Sequence, residues 1–155
     1  MKTLTIVRHA KSSWNTTHED HDRPLNTRGL DAAPRVGAEI LRRGMVPDKI
    51  ISSTAVRAAT TAQLIAKEIG IQFSELVYNE ELYLANISDY EEVIKRTEED
   101  AAIDHLMIVS HNPGSHEFSN FLLRKCILLN INFSSSGKLL SLIHISEPTR
   151  QAEIS

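Results

Sequence analysis

Cysteine is nearly absent from this chain. Cys126 is the single one among 155 residues, which excludes an intrachain disulfide. Long apolar runs are also missing. No stretch approaches the length needed to cross a bilayer, and Arg8 interrupts the short N-terminal run before it could resemble a secretion signal. These two absences set the expectation of a cytoplasmic chain. Excess positive charge is lacking as well: the formal net charge is −3. That argues against broad contact with nucleic acid or anionic membrane, so any positive potential must be local, which suits a small anionic ligand. No internal repeat is found. What remains, at 41% hydrophobic and 24% charged, is the composition of one ordinary globular domain with a real core.

The apolar runs that do occur are short, and three of them end in the same way. Leu4-Thr5-Ile6-Val7 leads directly into Arg8-His9. Lys49-Ile50-Ile51-Ser52-Ser53 leads into Arg57, and Leu106-Met107-Ile108-Val109-Ser110 leads into His111-Asn112-Pro113-Gly114. Each run reads as a buried strand, and the helical patterns between them make the strands parallel. The predicted fold is therefore α/β, a three-layer sandwich around a mostly parallel central sheet. In such sheets ligands bind beyond the carboxyl ends of the strands, where these basic and imidazole side chains emerge.

Between the strands, Lys11 to Pro24 is polar and reads as a loop over the strand ends. Asn26 or Thr27 can cap a helix running toward Arg43, stopped by Gly44, with Pro34 expected to kink it or delay its regular part. Thr54 is the expected cap of a helix over Ala55 to Ile69, ended by Gly70. A short strand is expected within Ile71 to Tyr78, and a loop over Glu80 to Ala85. Ser88 is the expected cap of an acidic helix from Asp89 to Glu99, and Ser115 of a helix through Leu123.

Arginine offers paired planar donors that match phosphate oxygens, and Arg57 falls in the first turn of a helix, where backbone N–H groups also favour an anion. A neutral imidazole can accept a phosphoryl group, and His9 follows its strand with no slack. His111 can donate to the phosphoryl oxygens. Arg8, Arg57 and His111 thus supply charge stabilisation around His9 without a metal. His18, Glu19, Asp20, His21 and Asp22 have the composition of a metal cluster, but their alternation lacks an established ligand spacing and reads as a solvated loop. Trp14 can cover the pocket or anchor that loop, and the sequence does not decide.

Arg8-His9-Ala10 after an N-terminal strand, Ser53-Thr54-Ala55-Val56-Arg57-Ala58-Ala59-Thr60-Thr61-Ala62, and Val109-Ser110-His111-Asn112-Pro113-Gly114 resemble the histidine phosphatase superfamily, also called phosphoglycerate-mutase-like. Arg8-His9-Ala10-Lys11-Ser12, Arg23-Pro24-Leu25-Asn26-Thr27-Arg28-Gly29 and Pro47-Asp48 resemble its branch of bacterial phosphohistidine phosphatases of the SixA type. The resemblance implies a transient phosphohistidine on His9, a phosphate pocket completed by Arg8, Arg57 and His111, and no cofactor. It implies a phosphohistidine-bearing protein or a small phosphorylated molecule as substrate. Many members also use a carboxylic acid to protonate the leaving oxygen. The matching neighbourhood, Asn79 to Tyr83, makes Glu81 the candidate and Glu80 the spare.

The resemblance ends at Leu123. Residues 1–123 read as an incomplete histidine-phosphatase-like domain, and 124–139 depart from the family pattern. Residues 140–155, with Leu140-Ser141-Leu142-Ile143-His144-Ile145-Ser146-Glu147-Pro148-Thr149-Arg150 at their head, resemble translated sequencing-adaptor DNA. The expectation is a fold truncated at the C-terminus, with an exposed sheet edge. Cys126 and His144 take no part in any site.

Overall fold

The computed structural model of the protein describes residues 3–14, 17–125, 130–131 and 141–144. Its elements are β1 (Thr3–Arg8), α1 (Thr27–Arg42), β2 (Lys49–Ser53), α2 (Val56–Ile69), β3 (Val77–Asn79), α3 (Ile87–Glu98), β4 (His105–Ser110), α4 (Gly114–Lys125), β5 (Asn130–Ile131) and β6 (Ser141–His144). The sheet order is β3-β2-β4-β1-β6-β5. The first four strands in that order run parallel, and β6 lies antiparallel on β1 with β5 antiparallel beyond it.

The three layers follow from strand alternation. Leu106 and Ile108 of β4, Leu4 and Ile6 of β1 and Ile51 of β2 pack on one face with Tyr90, Val93 and Phe118 from α3 and α4. Met107 and Val109, Val7 and Ile50 face the other way, against Ile40 of α1 and Ala58, Ala62 and Ile65 of α2. Burying both faces of the parallel strands is what allows their near-continuous apolar runs. Among the described residues, no helix is long and apolar enough to cross a membrane.

The strands and helices lie where the periodicity places them, but several ends differ. Asn26, of the two candidates, caps α1, its side chain accepting from the Gly29 N–H at 2.9 Å. The helix then runs through Pro34. Thr54 does not cap α2: its hydroxyl lies 3.0 Å from His21 Nε2, and Ala55 stands at the cap with no side-chain bond. Asn86 rather than Ser88 caps α3, accepting from the N–H groups of Ser88 and Asp89. Ser115 sits inside α4, where its hydroxyl donates to the His111 carbonyl at 2.9 Å. The segment around Leu76 forms a 3-10 turn, Phe73–Glu75, before β3, and Glu80–Leu82 forms another after it.

β6 pairs with β1, its residues Ser141 to His144 standing opposite Ile6 to Thr3. An unpaired row of β1 backbone groups accepts any extended segment that can reach it. Cys126 and most of residues 124–155 lie outside the described residues.

Two glycines make close approaches that position the site. A Cβ on Gly114 would lie 2.1 Å from the Ala85 carbonyl oxygen, so the turn after His111 tolerates no side chain there. A Cβ on Gly29 would lie 2.1 Å from the Lys11 carbonyl oxygen, which ties the start of α1 to the segment leaving β1.

Candidate active site

The carboxyl ends of β1, β4 and β2 converge on a cavity of about 500 Å³. Arg8, His9, Arg57 and His111 all line it. Its lining also carries Lys11, Arg23 and Arg28, so five cationic side chains face a single carboxylate, that of Asp20. A chain of net negative charge thus concentrates positive potential in one place.

His9 is held by its backbone and by its ring. Its N–H donates to the Ser110 carbonyl at 2.9 Å, extending the β1–β4 ladder by one residue. Nδ1 lies 2.7 Å from the Ala10 carbonyl oxygen. A carbonyl can only accept, so this contact assigns the proton to Nδ1 and leaves the lone pair on Nε2. Arg57 Nε, which can only donate, lies 3.3 Å from that same Nε2. The Ala10 N–H donates to Thr61 Oγ1 at 3.0 Å, and that hydroxyl donates to the Arg57 carbonyl at 2.7 Å, so one threonine couples the two segments. Burial lowers the His9 pKa to about 4; the Ala10 carbonyl opposes this, and the charges of Arg57, Arg8 and Arg23 add to the lowering.

His111 stands 5.1 Å from His9 between ring centroids and 5.6 Å from Tyr83, edge-on. Its Nε2 is 2.8 Å from Ser53 Oγ, which itself accepts from the Ala55 N–H at 3.3 Å. Beneath it, the hydroxyls of Tyr90, Ser110 and Ser115 form a closed buried network at 2.6 to 3.1 Å, fixing the turn that carries His111. Burial brings its pKa to about 3, with His9 and Arg57 adding to the effect. Among the described residues, two buried side-chain atoms lack a hydrogen-bond partner, Arg8 Nε and His111 Nδ1, and both residues line this cavity. Buried polar groups are rarely left unpaired without a reason, and an oxyanion in the cavity would supply it.

The structure does not bring Glu81 to this group. Its carboxylate is exposed and takes a two-point contact from Arg96, at 2.9 and 3.1 Å, which holds its pKa below the usual value. Neither Glu81 nor Glu80 lines the cavity. Tyr83, two residues on, points inward instead: its hydroxyl donates to Asp20 Oδ2 at 2.8 Å. Trp14 is 74% exposed, with the Arg23 guanidinium 3.7 Å above its ring, so it lines the cavity and braces the loop together.

Asp20, Arg23, Ser53, Thr61 and Tyr83 carry hydrogen bonds of the site, although no role there is assigned to any of them from sequence. Their signal there is position: Arg23, Ser53 and Thr61 lie within the quoted motifs, Tyr83 two residues after Glu81, and Asp20 three residues before Arg23. Among the described residues, no group of three or more His, Cys, Asp or Glu side chains is placed to hold a metal. Asp20 itself faces arginines.

The two depressed imidazoles make a pH prediction. Unfolded histidines take up protons as pH falls through about 6.5, whereas His9 and His111 in the fold wait until about 4 and about 3. Between these limits the unfolded chain binds more protons, so stability present above pH 6.5 is lost as pH falls toward 3. The urea midpoint is expected to drop across that window, and to drop less in His111→Asn. An equal drop in both chains would place the linkage elsewhere.

The family model of the histidine phosphatase superfamily (branch 1) matches residues 4–117. An uncharacterised chloroplastic protein of Arabidopsis thaliana is 27% identical over 126 residues, covering 77% of this chain and 58% of that protein. A 2,3-bisphosphoglycerate-dependent phosphoglycerate mutase of Parvibaculum lavamentivorans is 31% identical over 101 residues, 63% of this chain and 47% of the enzyme. The chain thus spans about half the length of such curated relatives. A crystal structure assigned as the phosphohistidine phosphatase SixA of Agrobacterium tumefaciens superposes with a TM-score of 0.71 at 30% identity, covering 79% of this chain and 77% of that one.

Proposed function

Because the chain belongs to the histidine phosphatase superfamily, we propose that it is a metal-independent phosphohistidine phosphatase working through a covalent intermediate on His9. Arg57 releases Nε2 as the phosphoryl group arrives. The Nε2 lone pair then forms a bond to phosphorus while the bond from phosphorus to the substrate's imidazole breaks, and that imidazole leaves with the electron pair and takes a proton from solvent. Water next attacks phosphorus, the bond to Nε2 breaks, and inorganic phosphate departs. Arg8, Arg57 and the orphaned Nδ1 of His111 hold the equatorial oxygens in both steps.

The observation that supports this reading is that the described residues lining the cavity include one carboxylate, Asp20, and no neutral carboxylic acid. Tyr83 and two arginines hold Asp20 at a pKa of about 2, so it stays ionised at working pH. An alkoxide leaving group needs an acid, whereas an imidazole leaves with far less help. A protein carrying phosphohistidine is therefore the favoured substrate. The second reading, a phosphatase of small phosphomonoesters, draws on the cavity's apolar wall of Ala32, Ala33, Val36 and Leu84.

Rates on a phosphohistidine peptide and on aryl and sugar phosphates decide between the two. The peptide is expected to give the higher kcat/KM. A preference for the esters would reverse the assignment. Because Glu81 stands outside the cavity, Glu81→Gln is expected to change kcat on either substrate by less than about twofold. A tenfold fall on esters alone would restore Glu81 as the acid.

A further inference from the structure

Among the described residues that line the cavity, the one carboxylate sits on the donors that a phosphoryl group would need. Asp20 Oδ2 accepts from Arg57 Nη2 at 3.0 Å and from the Tyr83 hydroxyl at 2.8 Å. Asp20 Oδ1 accepts from Arg23 Nε at 3.0 Å and from Arg23 Nη2 at 2.9 Å. The Asp20 backbone carbonyl accepts from Arg57 Nη1. With Nε on His9, every nitrogen of the Arg57 guanidinium is already engaged. This is the pattern in which arginine forks receive an oxyanion.

We infer that Asp20 is an internal anion occupying the guanidinium donors of the phosphoryl site, which substrate must displace and which returns to expel product phosphate. The inference rests on the phosphoryl site proposed above. It makes Asp20 a residue that sets the affinity of the site rather than one that reacts.

Displacement is feasible in both directions. Asp20 begins a 3-10 turn, Asp20–Asp22, that contains no buried residue, and its side chain is 49% exposed. The turn can leave without opening the core. Its other ties are the His21 contact to Thr54 at 3.0 Å and the edge contact of His21 with Tyr83 at 5.0 Å. A carboxylate has two oxygens and one charge, and it leaves Arg8 Nε and His111 Nδ1 orphaned. A phosphoryl group has three free oxygens and up to two charges, enough to reach those donors as well as Arg57. A bound dianion therefore gains partners that Asp20 cannot reach, while free phosphate still competes against a tethered rival. Without such a rival, five cationic side chains around one cavity would retain the product.

Orthovanadate and inorganic phosphate are the probes. Trp14, the single tryptophan, stacks on the Arg23 that holds Asp20, so its emission reports the exchange. Asp20→Asn keeps the shape and removes the charge; Asp20→Ala removes both. Each is expected to bind vanadate, and to be inhibited by phosphate, about tenfold more tightly than the unaltered chain. Vanadate should shift Trp14 emission in the unaltered chain and much less in the variants, where Arg23 has already lost its carboxylate partner and keeps only Ser12 Oγ and the Ser13 carbonyl. Equal or weaker anion binding by both variants, with the unaltered chain binding normally, would overturn the inference and make Asp20 a brace for Arg57. Failure of the unaltered chain to bind vanadate at all would overturn the phosphoryl site itself, and the inference with it.

Discussion

His9→Ala is expected to take up no acid-labile phosphoryl label from a phosphodonor and to lose at least about four orders of magnitude in kcat. The size follows from how much of the proposed reaction rests on one nitrogen. His9 Nε2 holds a lone pair because Nδ1 is committed to the Ala10 carbonyl at 2.7 Å, and a pKa of about 4 keeps the ring neutral across working pH. Among the described residues, the other imidazole beside His9 is not free to substitute: His111 Nε2 is engaged with Ser53 Oγ at 2.8 Å. Its Nδ1 is buried on a ring fixed 5.1 Å from that of His9. What survives the substitution should be binding. Arg8, Arg57 and His111 remain, so vanadate should still bind the variant within about tenfold of the original affinity. Labelling of the variant at the original rate would remove His9 from the covalent step. Absence of label from the unaltered chain, with phosphate bound but never produced, would instead describe a phosphate-binding module without turnover.

The legibility of this site depended on how each side chain is attached to the fold. Arg8, His9 and His111 follow buried strands at once, and Arg57 opens the helix after one. For such residues the apolar run fixes the place and the strand end fixes the direction, so sequence order was enough to bring all four together. Asp20 and Tyr83 meet only because two separate loops fold over the same strand ends, 63 residues apart in the chain. No periodicity encodes that meeting. Glu81 and Tyr83 show the limit most plainly. They are two residues apart, yet the 3-10 turn over Glu80–Leu82 sends the first out to Arg96 and the second in to Asp20. Helix ends were ambiguous for a related reason. Asn86 and Ser88 are both good caps, and the choice fell to the residue whose side chain reaches two free N–H groups together. At β2, Ser53 rather than Thr54 meets the first free N–H, while Thr54 is drawn to His21.

Arg57→Ala is expected to cost about two to three orders of magnitude in kcat/KM, with most of the loss in kcat. Arg57 is only 3% exposed, and its guanidinium touches His9 Nε2, Asp20 and the space over the Tyr83 ring at 5.9 Å. In the proposed transfer, charge on the equatorial oxygens is met by a guanidinium fixed beside the accepting nitrogen, which would stabilise the transfer more than the encounter. Arg57→Lys keeps a charge and loses the fork. It should recover part of the loss, and by less than the charge alone would suggest, because one ammonium cannot present two coplanar donors to two phosphoryl oxygens. The substitution also carries a titration signature that a purely structural role would not. The Arg57 charge contributes to the depression of the His9 pKa, so removing it lets that pKa rise. The acid limb of the kcat/KM profile should therefore move to higher pH in Arg57→Ala and stay near its original place in Arg57→Lys. A variant with unchanged kcat, a raised KM and an unmoved acid limb would assign Arg57 to ground-state binding and remove it from the transfer step.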